Sequence, residues 1–187
     1  YPIKSTNIMS HIRIASEGCV SIANTHPFVW ELWGEYWVFA HNGHIDIEAA
    51  GIIKEWEEPF YSPVGDTDSE TLFCDLLNAL RSTFSAPPSS KILFNAVTQW
   101  AKRVRAAGIC NFLLSNGKWQ IAHANTLLYY LIRQAPFGEA TLIDEDFTID
   151  FATVTTPNDR VAVIAMLPLT RNEIWHPFDV NEAIMFA

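Results

Sequence analysis

Apolar and polar positions alternate with period two in several short runs and recur every three to four residues in two longer ones. This is the pattern of strands placed either side of a pair of helices. In residues 7–15, Ile8, Ser10, Ile12 and Ile14 share one face and Met9, His11, Arg13 and Ala15 the other, which predicts a first strand. Tyr36, Val38 and Ala40 alternate with Trp37, Phe39 and His41, so a strand with two largely apolar faces runs into Asn42-Gly43, a strong turn signal. Residues 44–65 have no period, and Pro59 and Pro63 mark them as loop. Thr67-Asp68-Ser69-Glu70 then fits a capping box, with Thr67 as N-cap and Glu70 three positions on. Leu72, Phe73, Leu76, Leu77 and Leu80 follow at helical spacing and predict a core-facing stripe. Ala86-Pro87-Pro88-Ser89 links this helix to a second one, whose stripe is Ile92, Leu93, Ala96, Val97, Trp100 and Val104 and whose stop is Gly108.

Beyond Gly108 the period returns to two. Residues 109–114 and 119–124 predict a hairpin around Asn116-Gly117, residues 127–133 another strand, and residues 161–166 a further buried one. Between the last two, residues 137–159 read as acidic loop with short extended pieces. Earlier in the chain, Asn24-Thr25-His26-Pro27-Phe28 reads as a turn, under which Trp30, Trp33 and Trp37 are expected to pack. Strands, two adjacent helices, then strands again predict an α+β fold with the helices segregated onto antiparallel sheets. There is no internal repeat and no sign of a second core, so residues 1–187 are expected to form a single domain.

Composition narrows the function classes. Apolar residues make up 49% of the 187, enough for a substantial core, and the 13% aromatic content argues against disorder. A net charge of −9 argues against binding nucleic-acid phosphates or an anionic membrane surface, and no apolar run reaches membrane-spanning length. Cys19, Cys74 and Cys110 are scattered and odd in number, which points to a reducing compartment and a cytoplasmic protein. The opening Tyr1-Pro2-Ile3-Lys4 reads as cut from a longer chain, so the fold is expected to be incomplete at its N-terminal side.

The familiar phosphate, dinucleotide, zinc and serine-nucleophile motifs are absent, and no cofactor is implied. His41 and His44 would point to opposite faces of a continuing strand and have no third ligand at regular spacing, so no metal site is expected. The Asn42-Gly43 pair has two readings. It is a hairpin turn, as Asn116-Gly117 is, or it offers a side-chain amide and an approachable backbone N–H to an oxyanion. Arg13 on an apolar strand either snorkels from an edge or reaches an anion. Asp68 is accounted for by the helix dipole in a first turn, yet it also places an anion at a loop-to-helix boundary. His26 reads as a hydrogen-bonded loop histidine.

Taken in order, Ser10-His11-Ile12-Arg13, Asn24-Thr25-His26-Pro27-Phe28, Phe39-Ala40-His41-Asn42-Gly43 and Gly65-Asp66-Thr67-Asp68-Ser69-Glu70 together resemble the class II glutamine amidotransferases, the N-terminal-nucleophile branch that takes ammonia from glutamine. Ala135-Pro136-Phe137-Gly138 and Thr155-Thr156-Pro157-Asn158-Asp159 fit the small stand-alone bacterial members. The resemblance implies a four-layer αββα sandwich of antiparallel sheets. It also implies a site in which Arg13 pairs with the substrate α-carboxylate, Asp68 with its α-ammonium, and Asn42 and Gly43 form the oxyanion hole. The implied partners are glutamine or a γ-glutamyl small molecule and, if ammonia is transferred, an acceptor enzyme. The nucleophile implied is an N-terminal cysteine whose own amino group is the base. Position 1 is Tyr1, and none of the three cysteines matches that place, so this chain is expected to turn over no glutamine. The alternative is a module that binds glutamine without catalysis. Ile14-Ala15-Ser16-Glu17 departs from the synthase-linked relatives, so no contact from that loop carries over.

Overall fold

Phe28–Leu32 (β1) and Glu35–Ile45 (β2) form an antiparallel hairpin in this computed structural model, which describes residues 5–12, 20–52 and 59–187. The hairpin turns on Trp33-Gly34, both with positive φ (58° and 79°), as a two-residue type I′ turn requires. Asn42-Gly43 is therefore not a turn. β2 continues through both residues and pairs with β3 (Gly108–Ser115) without a break from Val38↔Ser115 to Ile45↔Gly108. Gly43 is there because nothing larger fits. Its φ is 150°, and a Cβ would lie 1.9 Å from the carbonyl oxygen of Ile109.

Between β2 and β3 the chain makes two helices, α1 (Asp68–Thr83) and α2 (Ser90–Val104). Thr67 caps α1, its hydroxyl accepting from Glu70 N–H at 3.2 Å, while the Glu70 carboxylate accepts from Gly65 N–H at 2.7 Å instead of closing the box on Thr67. After β3 come β4 (Gln120–Ala124), β5 (Tyr129–Gln134), β6 (Glu139–Thr141), β7 (Thr148–Asp150), β8 (Arg160–Ala165), β9 (His176–Pro177) and β10 (Glu182–Phe186). Two sheets carry the fold, a five-stranded one ordered β1-β2-β3-β4-β10 and a three-stranded one ordered β8-β5-β9, while β6 and β7 pair with each other. All pairings are antiparallel.

The period-two alternation of the large sheet separates two cores. On one face Trp37, Phe39, Cys110, Phe112, Leu114 and Ile121 meet Leu72, Phe73, Leu76 and Leu77 of α1 and Val97 and Trp100 of α2, all buried. Phe39 stacks on Phe73 at 5.1 Å, with rings 10° from parallel. The helices are joined across the top by Asp75, which accepts from Trp100 Nε1 and Arg103 Nη2, both at 2.7 Å. On the other face Leu113, Ala122, Ala124, Ile184 and Phe186 pack against Leu128, Tyr130, Ile164 and Phe178 around the three-stranded sheet. The layers are thus a helix pair, a five-stranded sheet and a three-stranded sheet, the α+β arrangement of antiparallel sheets expected from the pattern.

Several expectations need correction. Residues 7–12 carry no strand, because they find no ladder partner, and residues 13–15 lie outside the described residues. The tryptophans do not pack under the 24–28 turn: Trp37 sits edge-on between Trp33 and Trp119, and Trp30 meets Tyr61. On α2, Ile92 is exposed and Ala101 takes its place in the buried stripe. β8 is half-buried rather than buried, since one of its faces has no layer over it among the described residues. Strands β1, β9 and β10 come from stretches whose period two is too short, or too interrupted by tryptophan and proline, to announce them.

Candidate active site

Along β2, residues of one parity hydrogen-bond toward β3 and those of the other parity away from it. Asp46 N–H, just past the strand, donates to Ala107 O on the β3 side at 3.0 Å. Ile45 N–H points the other way and is accepted by Asp68 Oδ2 at 2.9 Å. Gly43 has the parity of Ile45 in an unbroken register, so its N–H leaves β2 along the same edge. β1 does not cover that edge there, because its pairing begins at Phe28↔Phe39. Asp68 is thus bonded to the same strand end that carries the Gly43 N–H and the exposed Asn42. Asn42 lies on the sheet face away from the helices, beside Asn111, whose side chain donates to Asn42 O at 3.2 Å and to Thr126 Oγ1 at 2.8 Å. Two further bonds, from Asn125 N–H and Thr126 N–H to Asn111 Oδ1, lock that asparagine in place.

Asp68 is held from both sides. Its Oδ1 accepts Ser69 N–H at 2.7 Å and its Oδ2 accepts Ile45 N–H, while its side chain keeps 20% of its surface open. His44 Nδ1 lies 3.6 Å from Oδ2 on the solvent side. Behind Asp68, buried His41 is fixed by Ser69 Oγ at 2.9 Å from Nδ1 and Ile109 O at 3.1 Å from Nε2. Burial pulls the His41 imidazole below its usual value, against the opposing pull of Asp68. His41 and His44 do point apart, one into the helix-side core and one to solvent. Among the described residues no group of three or more His, Cys, Asp or Glu side chains is placed to hold a metal ion.

Gly65-Asp66, unexplained as a lead-in to α1, has a partner. Asn24 Oδ1 accepts Asp66 N–H at 3.1 Å and Asn24 Nδ2 donates to Asp66 Oδ1 at 2.5 Å. A Cβ on Gly65 would lie 2.2 Å from Asn24 Oδ1. The 22–26 segment, opened by a 3-10 turn at Ile22–Asn24, thus docks on the loop that delivers Asp68. His26, at its end, is buried, stacked on His11 at 4.3 Å and close to Phe28. Three of the four separated segments singled out in the sequence therefore converge on the start of α1. Arg13 lies outside the described residues. Ser69, the Asn24–Asp66 pair and the Ile45 N–H were not singled out, and only the position of Ser69, next to Asp68 in a first turn, could have drawn attention.

Neither described cysteine is built to attack. Burial pushes the thiols of Cys74 and Cys110 up to about 12. A separate groove of about 390 Å³ lies along β5, lined by Arg133, Pro136, Phe137, Phe151, Glu173 and His176 among others. Its guanidinium is already engaged, donating from Nε and Nη2 to both oxygens of Glu173 at 2.7 and 2.6 Å and lying over the Phe151 ring.

The fold is α+β with antiparallel sheets, and its polar cluster lies at one sheet edge beside the start of α1. A family model described as glutamine amidotransferases class-II matches residues 1–187. The chain belongs to that family. It is 44% identical over 188 residues to an Escherichia coli protein that bears the name "Putative glutamine amidotransferase YafJ", covering all of this chain and 72% of that one. It is 43% identical over 186 residues to a "Putative glutamine amidotransferase" of Haemophilus influenzae, of which it spans 62%. A solved structure titled as a predicted glutamine amidotransferase from Pseudomonas aeruginosa PA01 superposes with a TM-score of 0.77 at 43% identity, over 88% of this chain and 63% of that one.

Proposed function

We propose that this chain is the glutamine-binding part of a class II glutamine amidotransferase. Its ligand is then glutamine or a small γ-glutamyl amide. The observation that supports the reading is the convergence of the Asp68 carboxylate and the Gly43 N–H on one uncovered edge of β2. In this reading Asp68 takes the α-ammonium, Arg13 the α-carboxylate through a bidentate guanidinium, and the Asn42 amide and Gly43 N–H the oxygen of the amide under attack. The nucleophile of the full reaction is an N-terminal cysteine thiol. It adds to the side-chain carbonyl, ammonia departs, and water releases glutamate from the γ-glutamyl thioester. Ammonia is either released or handed to an acceptor enzyme, and the protein works in the cytoplasm.

Cys74 and Cys110 are buried, so neither is read as that nucleophile. The second reading is a glutamine-binding regulatory module. Calorimetric titration of L-glutamine into the chain tests the first claim. Saturable binding that is lost in Asp68→Asn and Arg13→Ala is expected, and heats unchanged by both substitutions would sink it. An ammonia-release assay on a version carrying an N-terminal cysteine in the family position separates enzyme from module.

A further inference from the structure

We propose that His41 is a positioning residue for Asp68, acting through the Ser69 hydroxyl, so that the protonation of a buried imidazole sets how tightly the Asp68 carboxylate holds a ligand ammonium. The proposal rests on the reading of Asp68 as the ammonium-binding group. Ile109 O is a carbonyl and can only accept, so His41 Nε2, 3.1 Å away, carries a hydrogen in every state. In neutral His41 the other nitrogen, Nδ1, is then bare and accepts from Ser69 Oγ–H at 2.9 Å. Ser69 Oγ is also 3.2 Å from Asp68 Oδ1. A hydroxyl has one hydrogen and cannot give it to both. With His41 neutral the hydrogen goes to Nδ1, and Asp68 Oδ1 is left with Ser69 N–H alone from this residue.

A proton added at Nδ1 reverses the chain of donors. Nδ1–H now donates to Ser69 Oγ, the hydroxyl rotates, and its hydrogen is directed at Asp68 Oδ1. The carboxylate gains a donor and a cation behind it, and its hold on an ammonium weakens. The geometry admits little else, because Ser69 is 5% exposed and His41 2%, and Phe39 and Phe112 flank the imidazole on the sheet. The groups that bear on His41 are Asp68 from α1, His11 from the segment before β1 and His44 from its own strand. Cys110 on β3 stays a neutral thiol across the range concerned.

Two measurements on the chain test the relay. In the ligand-free protein, the carboxyl carbon resonance of Asp68 is expected to shift with the same pH midpoint as the His41 ring carbons. That shift is expected to shrink in Ser69→Ala and to be retained in Ser69→Thr, which keeps the hydroxyl. An equal shift in Ser69→Ala means the influence passes through space and overturns the relay. For binding, the Kd for L-glutamine is expected to rise about tenfold as pH falls through that midpoint, a step that shrinks in Ser69→Ala. The step persists in His44→Gln, which removes the exposed histidine near Asp68; loss of the step there overturns the assignment to His41. Absence of glutamine binding at every pH overturns the ammonium reading, whereas an Asp68 resonance that ignores His41 overturns the relay, so the two fail separately.

Discussion

Asp68 Oδ2 accepts the backbone N–H of Ile45 at 2.9 Å, so the first turn of α1 is fastened to the free edge of the strand that carries Asn42 and Gly43. A carboxylate at a helix start is stabilised by the dipole alone, but here it also answers a strand N–H that β1 does not reach. One side chain thereby sets the distance between the helical layer and the strand end.

Replacing Gly43 by alanine is expected to destabilise the chain by about 3 kcal/mol or more. The added methyl would occupy the place of the Ile109 carbonyl, 1.9 Å away, at a φ that side chains rarely adopt. Urea unfolding followed by tryptophan fluorescence measures this. Gly117→Ala, whose Cβ would meet nothing within 4 Å although its φ is 86°, is the milder control, at about 1 kcal/mol.

Gly65→Ala is expected to undock the 22–26 segment from the α1 lead-in, because its Cβ would meet Asn24 Oδ1 at 2.2 Å and Ala23 O at 2.9 Å. Asn24→Ala removes the same docking without the clash and should cost about 1–2 kcal/mol, less than Gly65→Ala. Amide hydrogen exchange is expected to rise at Asp66 in both variants.

Stability should fall on both sides of neutrality, for separate reasons. His41 and His123 have imidazole pKa values lowered by burial, so the unfolded chain takes up their protons first, and stability declines as pH falls below about 6.5. Cys74 and Cys110 are pushed from 9.0 up to about 12, so the unfolded chain loses those protons first. Stability then declines from pH 9 toward 12, by about 1.4 kcal/mol per pH unit for each thiol. Denaturation midpoints across pH 5–11 test both flanks, and Cys110→Ala should soften the alkaline one.

Asp75→Ala should cost about 2–4 kcal/mol, since it strips the buried acceptor that both Trp100 Nε1 and Arg103 share. The Arg103 side chain is 35% exposed, so solvent screening keeps the loss below that of a fully buried pair. Trp100→Phe, which loses one bond and keeps the packing, is expected to cost about 1–2 kcal/mol by thermal unfolding.

How much of this was legible in the chain depends on whether the determining contact is local. The α1 start was readable because a capping box is a four-residue signal, and the two helices and the 116–117 hairpin followed from period and turn chemistry. Asn42-Gly43 misled in the opposite way. The dipeptide satisfies a turn, but the pairing of β2 with a strand more than sixty residues later overrides it, and Trp33-Gly34 turns the chain earlier despite the bulk of its tryptophan. Asp68 was singled out correctly as lying at the start of α1, yet its bond to Ile45 was invisible, because nothing local encodes which strand end a helix will meet. Ser69 escaped notice for the same reason.

The order of strands in the large sheet has a consequence for biosynthesis. β4 is complete at Ala124, but the strand that borders it, β10, is drawn from Glu182–Phe186. While the intervening residues are being translated, the main-chain groups along that border of β4 have no partner, although both helices and the first four strands have already emerged. A nascent chain halted in that interval presents an open ladder to any other extended polypeptide nearby, which makes this stage of synthesis the one most exposed to wrong association.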